Sequence, residues 1–217
     1  MTLKAVFFDL GETLIDEQRM WNEWADYLRI PRQDLLAALG DAIVRGEHHH
    51  RAFERLGVDP AAAQQRRVAD GTRYFFRRDD LYPDAAACLT ALRRAGIFVG
   101  IAGNQSRDLL DSMLALGLDA DIITTSEHLG ADKPSTQFFA ALLAHTGFQP
   151  KDAAYVGDRI DNDVLPAKAV GMAGVFLVRG IWGKVHSRWN EAMQADIRIE
   201  ALADLPRALE DFGAQAR

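Results

Sequence analysis

The chain has a single cysteine, Cys88, so no internal disulfide can brace it, and a reducing compartment is expected. It has no apolar run long enough to span a membrane. The amino-terminal stretch that comes nearest to a signal segment is broken by Asp9 and Glu12. Positive charge is not in excess either: 25 Lys and Arg stand against 31 Asp and Glu, for a formal charge of -6. The arginine pairs Arg66-Arg67, Arg77-Arg78 and Arg93-Arg94 are scattered among acids, so no nucleic-acid partner is expected. Internal repeats and low-complexity linkers are missing as well. What remains is a cytoplasmic globular chain of 217 residues, 48% hydrophobic, long enough for one core and a smaller appended unit.

Short runs rich in Val, Ile and Phe alternate with helical patterns, the signature of buried parallel strands joined by crossover helices. Strands are expected at residues 4–9, 97–102, 121–125, 153–157, 174–178 and 197–199. Helices are expected at residues 84–95 and 106–116, and in a segment opened by Pro134, with stops at Gly96, Gly117 and Gly147. The fold class is therefore α/β, a Rossmann-like parallel sheet core flanked by helices.

Residues 17–80 break this rhythm. They show three or four helical patterns and no strand-like run, which marks an inserted all-helical unit; the core is then residues 1–16 and 81–217. Trp21, Trp24 and Leu28 share one face, Leu35, Leu36 and Leu39 another, and Val68, Tyr74 and Phe75 a third. Mutual packing explains them better than an aromatic ligand box. Both connections enter the sheet domain close together, a hinge geometry that permits a lid. His48-His49-His50 read as polar surface, because three adjacent imidazoles on a helix cannot face one point.

In an open parallel sheet, ligands bind outside the carboxyl ends of the strands. Four chemistry-bearing segments fall there: Asp9-Leu10-Gly11-Glu12-Thr13, Gly103-Asn104, Ala131-Asp132-Lys133, and Asp158 to Asp163. Each alone is weak, but their order, each after its own strand, leaves little room for coincidence. In these segments the chain resembles the haloacid-dehalogenase-like hydrolase superfamily over nearly its whole length. That family's first motif, Asp-x-Asp-x-Thr, is matched by Asp9 and Thr13 with Gly11 replacing the second aspartate. Gly103 stands where a Ser or Thr normally precedes the Asn104 position. Lys133 matches the third motif, and Asp158 and Asp163 match the acidic fourth. A helical insertion between the first two motifs is the family's common cap.

The resemblance implies a magnesium-dependent phosphatase of a small phosphorylated metabolite, monomeric or homodimeric. Asp9 would be the nucleophile attacking phosphorus to form an aspartyl-phosphate. Asp9, the Gly11 carbonyl, Asp158 and Asp163 would provide for the cation, Gly103, Asn104 and Lys133 would bind the phosphate, and Lys133 would neutralise charge. Glycine at position 11 cannot donate a proton to the leaving group or activate water, and Glu12 is the nearest substitute. Two alternatives stand beside this reading. A dehalogenase also lacks the second aspartate, but carbon–halogen displacement needs no metal and leaves the acids at 158–163 without a purpose. A catalytically weak binding protein fits the two glycine replacements but not the retained Asp9, Lys133 and Asp158. Trp182, in the Gly180-Ile181-Trp182-Gly183 loop, is expected either at a dimer contact or bracing the sheet edge.

Overall fold

A computed structural model describes residues 3–215. Six strands, β1 (Ala5–Phe8), β2 (Phe98–Gly103), β3 (Ile122–Thr125), β4 (Ala153–Gly157), β5 (Ala173–Leu177) and β6 (Ile197–Ile199), form one all-parallel sheet in the order β3-β2-β1-β4-β5-β6. The strand positions agree with the expected ones to within a residue or so. The order reverses at β1, so the crevice at the carboxyl edge lies where β1, β2 and β4 end.

Both faces of the sheet are covered, which is why the strands read as continuous apolar runs instead of alternating ones. β1 and β4 are buried at every position. On one face Phe7 and Tyr155 pack with Phe138, Phe139 and Leu142 of the helix Thr136–Thr146. Phe176 packs with Ile160, Val164 and Ala192 in a second cluster. The buried Tyr155 hydroxyl donates to the Ala102 carbonyl at 2.5 Å, so this phenol enters the core with its polar end satisfied. Cys88 is buried in the helix Ala85–Arg94, and burial pushes its thiol up to about 12, in keeping with a structural role. The expected glycine stops at 96, 117 and 147 all have positive φ. No helix among the described residues is long and apolar enough to cross a membrane.

The chain divides into two compact units, one holding the described residues up to Asp16 and from Phe76 onward, the other Glu17–Phe75. The smaller unit is helical: α1 (Gln18–Leu28), α2 (Arg32–Val44), α3 (His50–Arg55) and α4 (Pro60–Ala69). Its end lies five residues before the expected one, because residues 76–80 are tied to the sheet unit. The Arg77 N–H donates to Asp80 Oδ2 at 2.8 Å, Arg78 donates to the Leu116 carbonyl at 2.9 Å, and the Asp16 N–H donates to the Asp80 carbonyl.

Within the helical unit Trp21 and Trp24 pack on Phe53, and the Arg67 guanidinium lies 4.5 Å over the Trp24 ring. The third expected face does not exist. Val68 and Phe75 are about half exposed while Tyr74 is buried, since the chain leaves helical geometry after Ala69. The histidine triplet is exposed or half-buried, as polar surface would be, but only His50 is helical, so the argument from helix spacing does not apply to it.

Candidate active site

Asp9 follows β1 directly, and its N–H donates to the Val156 carbonyl of β4 at 2.9 Å, which fixes the backbone where the carboxylate emerges. Lys133, brought in by the loop before the helix Thr136–Thr146, places its Nζ 2.8 Å from Asp9 Oδ1 and 2.6 Å from Asp163 Oδ1. The ammonium is almost fully buried. Burial presses its pKa down, but Asp163 and Asp9 outweigh that penalty and hold it well above its ordinary value, so the lysine stays charged.

Asp163 has both oxygens engaged: Oδ1 with Lys133 and Oδ2 with the Arg159 N–H at 3.0 Å. The π-helical turn Ile160–Val164 brings it back beneath Asp158; such wide turns recur at functional sites. The Asp163 contacts are those of a residue that orients Lys133. Asp158 differs. It is 2% exposed, and its Oδ2 is buried with no hydrogen-bond partner. Burial, reinforced by Asp163, Asp9 and Glu12, pushes its pKa well above the carboxylate range. Oxygens of Asp9, Asp158 and Asp163 all lie within 4.8 Å of one another. Three carboxyls and one ammonium leave a surplus of negative charge, and an orphaned buried oxygen in an all-oxygen donor set fits a hard divalent cation.

Asn104 was expected to offer its backbone N–H and side-chain amide to phosphate; the side chain is engaged elsewhere, Nδ2 donating to the Lys133 carbonyl at 2.8 Å and Oδ1 accepting from the Lys133 N–H at 2.7 Å, so it positions the lysine loop. Gly103 adjoins Asp9: a Cβ there would sit 2.6 Å from Asp9 Oδ1, so the glycine provides room for the observed Asp9 rotamer.

Glu12 is bent away from ordinary backbone, with φ 52, a region that costs a non-glycine residue about 1–2 kcal/mol. Its carboxylate is buried and accepts from the Tyr82 hydroxyl at 2.7 Å. A Cβ at Gly180, itself at φ 63, would lie 2.9 Å from the Glu12 Cβ and closer still to its carboxylate, so glycine at 180 makes room for Glu12. Arg179 stacks 4.3 Å over the Tyr82 ring and donates to the Thr13 carbonyl at 3.1 Å and to Asp84. Thr13 is thus anchored through its backbone carbonyl, and its Oγ1 is buried without a partner.

Tyr82, Arg179 and His186 were not singled out from sequence. Tyr82 has only its neighbour Pro83 to mark it in the sequence, and Arg179 immediately precedes the Gly180-Ile181-Trp182-Gly183 loop. His186, 1% exposed, accepts from the Ile160 N–H at 3.1 Å and stacks on Trp189 at 3.8 Å. Trp182 is buried, with the Arg159 guanidinium 5.8 Å from its ring.

Against known proteins, a model of the haloacid dehalogenase-like hydrolases matches residues 3–171. The glyceraldehyde 3-phosphate phosphatase of Methanopyrus kandleri is 28% identical over 96% of each chain. The phosphoserine phosphatase of Thermus thermophilus is 31% identical over 83% of this chain and 72% of its own. Among solved structures, a predicted phosphoglycolate phosphatase from Haemophilus somnus superposes with a TM-score of 0.70 at 19% identity, covering 95% of this chain and 98% of that one.

Proposed function

The chain belongs to the haloacid dehalogenase-like hydrolases, and on that premise we propose that it is a magnesium-dependent phosphatase of a small phosphorylated metabolite, with Asp9 as nucleophile. Phosphatase names on relatives spanning nearly the whole chain support the reaction class. The observation that carries the metal is Asp158: a buried carboxylate oxygen without a partner, beside two further carboxylates, is costly unless a cation satisfies it.

Asp9, Asp158 and the Gly11 carbonyl would hold the ion, with Asp163 acting through Lys133. Magnesium, when bound there, supplies the charge that lets a carboxylate approach a phosphoryl group. The chain's own residues do the rest. Lys133, charged and fixed by Asp163 and the Asn104 clamp, holds the Asp9 carboxylate and offers its remaining proton to a phosphoryl oxygen. Asp9 attacks phosphorus in line, the P–O bond to the leaving group breaks, and the aspartyl-phosphate is then hydrolysed by water.

Glu12 is the proton carrier in place of a residue at position 11. Its support is a buried carboxylate whose charge acts on Asp158 and whose orientation is held by Tyr82 and Gly180. The helical unit Glu17–Phe75 is the family's inserted cap, a reading supported by its place in the chain between Asp9 and Gly103.

The test is magnesium titration of the metal-stripped protein with an aryl phosphate. Phosphate release that requires the metal and is lost in Asp9→Asn is expected. Metal-independent chloride release from a 2-haloacid, with no phosphate release, would overturn the reading.

A further inference from the structure

His48, His49 and His50 lie where the chain turns from α2 into α3. Outside helical geometry, adjacent side chains can converge, and these do. Each offers a ring nitrogen, and the three nitrogens lie within 4.8 Å of one another. The ring centroids are 4.1, 4.3 and 4.6 Å apart.

The arrangement is partly held in place. The His50 N–H donates to His48 Nδ1 at 3.3 Å; with Nδ1 accepting, Nε2 of the neutral ring carries the proton, so a metal ion would take the Nδ1 lone pair in place of this long contact. His49 packs edge-on against Trp21 at 6.0 Å. The neighbouring cations are matched by acids: Arg45 pairs with Asp41, Arg51 with Glu54, and Arg55 with Glu47 and Asp41.

We propose that the three histidines form a second metal site, for a borderline divalent transition ion such as zinc, nickel or cobalt, with water completing the shell. Imidazole nitrogen suits such ions, whereas magnesium prefers the oxygens of the carboxylate cluster, so the two sites select different metals. Metal–nitrogen bonds of about 2.0–2.1 Å need a modest contraction of the cluster, which rotation of these side chains can supply.

The test is cobalt titration of the full chain in the Asp158→Asn background, which weakens the carboxylate site, followed by visible absorption and by thermal unfolding. One cobalt per chain is expected, with affinity falling at least tenfold in each of His48→Ala, His49→Ala and His50→Ala. Cobalt should also raise the unfolding temperature, and this rise should disappear in the single variants. A flexible histidine run binds metal in the unfolded chain as well and would give affinity without stabilisation. That outcome, or unchanged affinity in any one of the three variants, would overturn the proposal.

Discussion

Glu12 and Lys133 show how single residues are held in unfavourable settings by their neighbours. Glu12 occupies left-handed backbone and a buried position, and Tyr82 and the space at Gly180 stabilise that placement. If it carries the proton, Glu12→Gln should slow hydrolysis of alkyl phosphates by about 10²–10⁴, because their leaving groups need protonation, and slow aryl phosphates far less. Measuring kcat/KM for a matched alkyl and aryl pair checks this, and an equal change for both would assign Glu12 to loop geometry. Lys133 is the counter-charge for two carboxylates. Replacing it with methionine keeps the volume but leaves Asp9 and Asp163 facing each other without compensation, so stability should fall by about 3–5 kcal/mol and turnover should vanish. Denaturant unfolding in the absence of metal measures the first effect.

At the scale of elements, the turn after β4 and the helix Gly180–His186 are joined through the bond from the Ile160 N–H to His186. Burial pulls this imidazole down to about 4, with Asp161 opposing and Arg159 adding to the pull. Between its ordinary value near 6.5 and about 4, the unfolded chain takes up a proton that the folded chain refuses. Stability from this group is therefore full above pH 6.5 and declines as pH falls through that window. His186→Asn keeps an acceptor for Ile160 but cannot titrate. The stability difference between wild type and variant should change by up to about 1.4 kcal/mol per pH unit inside the window and level off outside it, measured by urea unfolding from pH 7 to pH 4. A flat difference would mean that His186 is not held neutral.

Across the whole molecule, what could be read in the sequence was what is encoded locally. The strands announced themselves because two-sided burial makes each one an uninterrupted apolar run; Asp9 and Asp158 stood out because each directly follows such a run, and Lys133 because it precedes Pro134 at the start of a helical segment. The contacts that hold them were hidden because they are long-range. Nothing near Glu12 points to Tyr82, seventy positions away, and nothing around Asn104 says that its amide is committed to the Lys133 backbone. For the histidine triplet, helical spacing was assumed where the chain turns, and only His50 proves helical. The helical unit ends at Phe75 and not at residue 80 because Arg78 and Asp80 are also bonded to distant segments, the Leu116 carbonyl and the Asp16 N–H.

The central claim is that Asp9 attacks phosphorus within a site completed by Lys133 and Asp158. Rapid acid quench after mixing the magnesium-loaded protein with an aryl phosphate, followed by mass spectrometry of the peptide containing Asp9, tests it most directly. The account predicts a phosphoryl group on Asp9 that appears only with metal present and is missing in Asp158→Asn. Turnover with the phosphoryl group on another residue, or with none on the protein at any quench time, would contradict it.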